Sequence, residues 1–532
     1  MDLVKKVIDG AVLRLYKLRS QKYSLDYKEQ FGDLSTNLAF VLSSQIKDAP
    51  QKIAIAIKQK IEKEKFFEKV EIANAGFLNF TLSGDTIMKM LESENFNHSK
   101  KSDRKKIQIE FISANPTGPL TLGNARNAFT GDAIAKILRW SGQDVQTEYY
   151  VNDMGNQIET LGESVINSKL KTQMSKPPLK NQKFYVGEYI EEIGKRINGK
   201  NVQQIGERGA KIILQDYIKP LIKKLKIHFD RWQSEKALHQ RYDIEQEVEK
   251  LRSQKFIQEK EGALWFLTKK FGDDKDRVLK KKNGQWTYLA SDLLYLIDRK
   301  KRGFDKIIIL LGADHSGYIK RILALGQSLG FKKDQIKILI CQLARIKKGE
   351  KSLRMSKRAG NVIYLDELVG KVGLDASRYF FLEKNPNTHL DFDGQKALKR
   401  DLTNPVYYIQ YGYVRAQSIL RKCQISNIPA PKQAGKYQTN FKSQILNSQE
   451  KRLALKILAL RPALSDISQT LEIYRLPHLA LDLTRAFSNF YEKERVIDGE
   501  TVNPLNLLLT QKFYTSIDLL LDMMGISKPE KM

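Results

Sequence analysis

The sequence predicts an α/β protein: a doubly wound parallel-sheet domain carrying a helical insertion, with a small α/β domain before it and an α-helical bundle after it. Three observations carry this expectation. From Ile107 onward, short apolar strands alternate with helical patterns, the arrangement that builds a parallel sheet through crossovers. At the start of that region Ile107, Ile109 and Phe111 alternate with Gln108 and Glu110 and run into the turn Asn115-Pro116-Thr117-Gly118-Pro119. Beyond about Asp393 only helical periodicity remains. The domains are therefore expected at 1–102, 103–392 and 393–532, with the insertion at about 165–260.

Taken in order, residues Val4 to Leu18 and Ile53 to Ile61 have amphipathic helical spacing, and Val70 to Leu82 alternates as a strand does. A charged connector, Ser99 to Lys106, precedes the sheet. After the Pro-Thr-Gly-Pro turn, Ala125, Ala128, Phe129, Ile134, Ile137 and Leu138 predict a helix from about Asn124 to Trp140, completing a strand, turn and helix of the kind that opens a Rossmann-like fold. The Lys-rich stretch after residue 165 reads as the helical insertion, broken at Pro177-Pro178, with β-type sequence resuming at Gly262 to Lys269. Lys306 to Leu311 is apolar on both faces, as a buried parallel strand is, and Ile336 to Leu343 forms a last strand leading into a cationic loop. In the bundle, Pro429, Pro431, Pro462, Pro477 and Pro504 mark expected breaks, and Gln424 to Lys442 a surface connector.

Composition narrows the function classes. The chain has 532 residues, 41% hydrophobic and 29% charged, enough for several cores and too polar for a membrane protein. No apolar run approaches the ~18 residues of a spanning helix, and Met1 to Ser20 lacks the apolar centre of a signal peptide, so a cytoplasmic protein is expected. Two cysteines, Cys341 and Cys423, and six scattered histidines give neither a disulfide framework nor metal-ligand spacing, so no structural metal is expected. A formal charge of +30 points to a polyanionic partner such as RNA.

Two stretches carry the chemistry. Asn115 to Asn127 feeds a Gly/Pro turn into a helix, whose free N–H groups and dipole suit phosphates. Arg354-Met355-Ser356-Lys357-Arg358-Ala359-Gly360 is a cationic segment flanked by Arg345, Lys347, Lys348 and Lys351, with Glu350 the one acid between 345 and 358. Their order and separation resemble the two nucleotide-handling signatures of class I aminoacyl-tRNA synthetases.

Within that class the chain resembles the arginyl-tRNA synthetases over nearly its whole length. The likeness rests on Phe31 to Asn37, Val70 to Phe80, Glu148 to Gln157, Phe271 to Val278, Gly373 to Tyr379 and Pro405 to Tyr411. It implies ATP-dependent ligation of L-arginine to tRNA-Arg through an arginyl-adenylate, with Mg²⁺ accompanying the nucleotide. It also implies an N-terminal domain that contacts tRNA and a C-terminal bundle that binds the anticodon.

The resemblance assigns roles to residues. Glu110, Asn115, Tyr288 and Asp292 are implied to hold arginine. Tyr288 and Asp292 are four apart on an expected helix, hence on one face, and a planar guanidinium calls for carboxylates in a fork geometry. Pro116, Gly118, Gly123, Asn124, Asp314, His315, Met355, Ser356 and Lys357 are implied for ATP, with Lys357, Asn124 and Thr121 catalytic. Tyr408, Tyr411, Arg415 and Arg485 are expected to touch tRNA, among bundle side chains that include Tyr407, Tyr413, Phe487, Phe490 and Tyr491.

One departure stands out. The first signature reads Thr121-Leu122-Gly123-Asn124 where the family has His-x-Gly-His. Thr and Asn donate hydrogen bonds but carry no charge, which leaves a catalytically weakened, tRNA-binding relative as the alternative reading. A monomer is expected.

Overall fold

The computed structural model describes residues 1–19, 22–28, 30–96, 104–171, 184–348, 351–353, 363–425 and 446–532. Its centre is a five-stranded, wholly parallel sheet made of β1 (Lys106–Glu110), β2 (Asp144–Val151), β3 (Arg231–Ser234), β4 (Lys306–Gly312) and β5 (Ile336–Cys341), in spatial order β5-β4-β1-β2-β3. In β4 the side chains alternate between two cores. Ile308 and Leu310 join the one that includes helix α1 (Leu122–Trp140), whereas Ile307 and Ile309 join the one under α2 (Tyr288–Lys301) and α3 (Ile319–Ser328). A strand buried on both faces has to be apolar at every position, which is why its run is continuous.

The strand order reverses between β1 and β4. From β1 the chain crosses through α1 to β2; from β4 it crosses through α3, on the other face, to β5. A crevice therefore opens at the carboxyl ends of β1 and β4, the place where open α/β sheets take ligands. Close approach of α1 to the sheet requires Gly131: a Cβ there would stand 2.2 Å from Cγ of Phe111.

The insertion differs from its expected limits. Helices Asn156–Lys171, Glu188–Arg196, Val202–Ile212 and Lys219–Lys224, with a π-helical turn at Ile213–Ile218, form the crossover from β2 to β3. The sheet strand β3 thus lies inside the stretch 165–260. Its sequence, Arg-Trp-Gln-Ser, is four residues long without an apolar run, so no strand pattern marks it. The β-type segment near 262 belongs to a separate antiparallel meander, Ile257–Lys260, Ala263–Phe266 and Arg277–Lys280.

The N-terminal unit has helices Asp2–Tyr16, Leu38–Ile46 and Pro50–Ile61 on an antiparallel sheet ordered Leu25–Tyr27, Leu34–Thr36, Phe77–Leu82, Phe67–Ala73. The alternating stretch expected as one strand is a hairpin, turning at Asn74 and Gly76, both with positive φ. In the C-terminal bundle, helices Pro405–Ile425, Ser448–Thr470, Arg475–Lys493 and Pro504–Met524 are longer than the prolines suggest. Pro462 sits inside a helix whose Leu458, Leu460, Leu464 and Ile467 are all buried, so packing on both sides carries the chain through the lost hydrogen bond. Pro477 lies in the first turn of its helix and Pro504 at the first position, where no N–H is required. The connector 426–445, with Pro429 and Pro431, lies outside the described residues.

The units meet at Arg378, which is fully buried. Its guanidinium donates to Asp132 Oδ2 of α1 (2.7 Å), to the carbonyl of Leu225 at the end of the insertion (2.7 Å) and to that of Met524 in the last helix (3.1 Å).

Replacing Gly131 with Ala is expected to destabilise the protein by about 1–3 kcal/mol despite alanine's better helix propensity, because the new methyl overpacks against Phe111. A lowered midpoint in denaturant unfolding checks it.

Candidate active site

The crevice begins with a strained turn. Directly after β1, Ile112 and Ser113 have φ of 64° and 39°, a left-handed conformation that costs a non-glycine residue on the order of 1–3 kcal/mol. Neighbours hold it in place. Asn127 of α1 accepts from Ile112 N at 2.6 Å and donates to the Leu310 carbonyl at 3.0 Å, fastening the ends of β1 and β4 together. Tyr149 donates through its hydroxyl to the carbonyl of Ala114 (2.8 Å), and Tyr150 N donates to Ser113 Oγ (3.1 Å). Asn115 is exposed to the crevice, whereas Pro116 and Thr117 are buried.

The insertion closes over the turn. Tyr189 donates to the Thr117 carbonyl at 3.0 Å, and a Cβ on Gly118 would lie 2.9 Å from that hydroxyl. Gly118 is therefore fixed by protein packing. Gly123 is not: it is exposed, and a Cβ there would meet only Thr121 Oγ1 at 3.5 Å. Space over Gly123 is left for something other than protein.

At the start of α1, Asn124 Oδ1 accepts from both the backbone N (2.9 Å) and Oγ1 (3.2 Å) of Thr121. The amide is thereby oriented with its NH₂ turned away from Thr121, while the Thr121 hydroxyl is committed to Asn124. Met355, Ser356 and Lys357 lie outside the described residues. The chain resumes at Ile363, whose carbonyl accepts from Leu122 N at 3.0 Å; Leu365 N donates to the Leu120 carbonyl at 2.9 Å, and Tyr364 pairs with Thr121. The chain that follows the second signature thus lies against the first from Ile363 onward. At its other end β5 does not lead straight into a loop but into a hairpin, Ala344–Lys348 with Lys351–Leu353. Asp314 and His315 follow β4 in a short 3₁₀ turn, both well exposed at the same end of the sheet.

Carboxylates gather on the other side of the crevice. Tyr288, Asp292, Tyr295 and Arg299 share one face of α2, as their spacing requires. Glu110, at the end of β1, is buried and paired with the Arg299 guanidinium, which stacks 3.6 Å over the Tyr295 ring. Glu235, absent from the sequence reading, completes the group. It is buried at the first position of the helix after β3, and Asn152, with its amide nitrogen turned inward, donates to Glu235 Oε2 at 2.9 Å. Neither Asp292 nor Glu235 forms an ion pair with a cation among the described residues. Burial, reinforced by Glu235 and opposed by the more distant charges of Arg321 and Arg299, pushes the Asp292 carboxyl up to about 7. Burial likewise raises that of Glu235, with Ser291 and Tyr150 pulling it back. A recessed site with two electrostatically frustrated carboxylates is built to receive a cation.

Comparison with known proteins decides the family. The family model for the class I tRNA synthetase (R) catalytic domain matches residues 86–411, that for the arginyl tRNA synthetase N terminal domain residues 2–82, and that for the DALR anticodon binding domain residues 409–532. The chain belongs to the arginyl-tRNA synthetase family. An arginine–tRNA ligase of Desulforamulus reducens is 37% identical over 519 residues, covering 94% of this chain and 92% of that one. The arginine–tRNA ligase of Bacillus subtilis is 36% identical over 557 residues, covering 100% and 99%. The solved Thermus thermophilus arginyl-tRNA synthetase shares the fold, with a TM-score of 0.73 at 20% identity and full coverage of both chains.

Tyr411, Arg415, Lys422, Tyr491 and Met532 line a cavity of about 260 Å³, where the Arg415 guanidinium lies 5.1 Å from the Tyr411 ring and 4.3 Å from that of Tyr491. Tyr408 is half-buried on the same helix. Arg485 is exposed elsewhere, 3.6 Å from Asp482. Of the other aromatics, Tyr413, Phe487 and Phe490 are buried core residues, Phe487 stacking on Phe513 at 3.9 Å.

Because the folded protein holds the Asp292 proton more tightly than the unfolded chain does, this carboxyl's contribution to stability declines as pH rises from about 4 to about 7. Asp292→Asn is therefore expected to gain stability relative to the parent between pH 5 and pH 8, by on the order of 1–3 kcal/mol. Thermal unfolding of the two proteins at both pH values measures it.

Proposed function

We propose that this arginine–tRNA ligase selects its amino acid by seating the guanidinium between Asp292 and Glu235, with Tyr288 at the rim and with Glu110 and Asn115 toward the α-amino and carboxylate end. The observation that supports this reading is the pair of carboxylates raised in pKa and lacking an ion-pair partner among the described residues, beside the crevice at the sheet's switch point. A bidentate guanidinium satisfies both at once. Lysine offers a single point charge, and neutral amino acids leave the carboxylates unpaired, a strong basis for rejection without an editing step.

ATP lies across Pro116, Gly118 and Gly123 at the start of α1, with its ribose and adenine toward Asp314 and His315. The open space over Gly123 and the outward NH₂ of Asn124 fit a nucleotide approaching the helix N-terminus. Met355, Ser356 and Lys357 supply the second signature. Ile363 is six positions after Lys357, so the chain spans at most ~20 Å between them, and Ile363 abuts Leu122. The arginine carboxylate attacks the α-phosphorus in line and displaces pyrophosphate; Lys357, Asn124 and helix N–H groups stabilise the developing charge. Thr121 acts by orienting Asn124. Mg²⁺ accompanying the nucleotide would supply compensating charge for the leaving pyrophosphate. A ribose hydroxyl of the tRNA terminal adenosine, the 2′-hydroxyl in this reading, then attacks the adenylate carbonyl.

The tRNA spans the molecule. The domain at 1–102 meets its outer corner and the bundle at 393–532 its anticodon, with Tyr411 and Arg415 presenting ring and guanidinium faces for base stacking and Tyr408 and Arg485 flanking them. The protein acts as a cytoplasmic monomer, and no helix among the described residues is long and apolar enough to cross a membrane.

Charging of tRNA-Arg with each of the twenty amino acids tests the reading. Arginine alone should be transferred; comparable charging with lysine or with any neutral amino acid would sink the carboxylate fork. The pH dependence is a second outcome. Only ionised Asp292 binds guanidinium, so KM for arginine should be flat above about pH 8 and rise toward tenfold per unit below about pH 7. Glu235→Gln should move that inflection to lower pH while raising KM, as seen in initial-rate profiles from pH 6 to 9.

A further inference from the structure

Arg126 belongs to the first signature segment, yet its side chain points away from the crevice and is 1% exposed. Nη1 donates to the carbonyls of Gln342 (3.4 Å) and Thr388, and Nη2 to those of Lys384 (3.4 Å) and Asn385 (2.6 Å). All four acceptors are main-chain groups of two converging segments. Gln342 directly follows β5, and Thr388 lies two residues before the start of the strand Leu390–Phe392. These segments are bonded to each other, Gln342 N donating to the Pro386 carbonyl at 2.8 Å, and they continue as paired parallel strands, Ala344 beside Leu390. Arg126 therefore gathers the root of the hairpin Ala344–Leu353. At the far side of the second signature, Leu120 and Leu122 hold the returning chain at Ile363 and Leu365. The start of α1 grips the chain on both sides of that signature.

We infer that Arg126 is a positioning residue for arginine activation, holding the root of the hairpin that precedes the second signature in register with Gly123 and Asn124. A guanidinium suits this task, because its two terminal nitrogens reach four carbonyls, with Nε left without an acceptor; a lysine ammonium reaches one or two of them. The arginine pocket lies apart. Glu110, Glu235 and Asp292 have no bond to residues 342 or 384–388 among the described residues. Misplacement of the hairpin should consequently slow chemistry without weakening arginine binding, since small positional errors act on the transition state.

The inference rests on the activation chemistry proposed above, which charging by the unaltered enzyme tests separately. Its own test uses full-length Arg126→Lys and Arg126→Met proteins, with unfolding curves, kcat, and KM for arginine and for ATP. Both should fold cooperatively. The kcat of activation is expected to drop roughly tenfold in Arg126→Lys and roughly a hundredfold in Arg126→Met, with arginine KM within about threefold of the parent. Hydrogen exchange at residues 342–346 and 384–392 should speed up in Arg126→Met, marking the loosened root. The inference is overturned if Arg126→Met keeps parental kcat, if arginine KM rises in proportion to the loss of kcat, or if neither variant folds, which would make Arg126 a purely structural buried cation.

Discussion

A pocket lined by unpaired carboxylates is stable only if the surrounding charges are settled, and that constraint organises the centre of this molecule. Glu110 and Glu148 are register partners on β1 and β2, with Arg231 beside them on β3. Two carboxylates side by side would repel. Each has its own arginine: Arg299 of α2 binds Glu110, and Arg302, which caps the end of α2, binds Glu148 at 2.5 Å. Asp298, nearly fully buried, accepts from Arg302 at 3.0 Å, Arg241 at 2.9 Å and Tyr242 at 3.1 Å. Tyr295 bridges to Glu148 at 2.6 Å and stacks on Tyr150. Removing one member of such a network strands a buried charge, an effect worth about 3–5 kcal/mol. The network thus fixes α2 on the sheet and leaves Asp292 and Glu235 outside its ion pairs.

The side of the crevice proposed for the nucleotide is governed differently, by backbone. Its turn is left-handed at two non-glycine residues, bonded on one side to α1 and on another to tyrosines of β2 and the insertion. The same short helix start that faces the crevice also binds the chain returning from the second signature. Thr121 and Asn124, read in the sequence as replacements for donors, form a mutual cap first, and only the Asn124 NH₂ remains directed outward. Side-chain identity alone did not reveal that division of labour.

Much of the architecture is legible because periodicity reports burial. The run 306–311, the α1 stripe and the alternation of β1 all follow from which faces meet apolar neighbours. β3 escapes notice since its four residues are polar and aromatic and owe their pairing to Glu148 and Tyr149 next door. In the site, Tyr288 and Asp292 are visible from helical spacing and family likeness. Glu235 is not: it follows an unrecognised strand, and its capping pattern, Ser234 accepting from Ala237 N, is shared with many helices that bind nothing. The one signal available was Ser-Glu at a strand-to-helix junction, meaningful only once β3 is placed in the sheet. Arg126 was equally silent, for its partners are carbonyls that any residue carries.

Arg378 has a further consequence for how such a molecule can be rearranged. Its three acceptors belong to the nucleotide helix, the insertion and the terminal helix, and Gly525 is required beside it because a methyl there would stand 2.4 Å from Nη1. Removing the insertion or the terminal helix takes away one of its carbonyl acceptors and uncovers the buried Arg378–Asp132 pair. The modules are therefore not interchangeable cassettes: chimaeras spliced from distant homologues should inherit this junction whole, and a catalytic fragment excised from its bundle would present the Arg378–Asp132 pair to water.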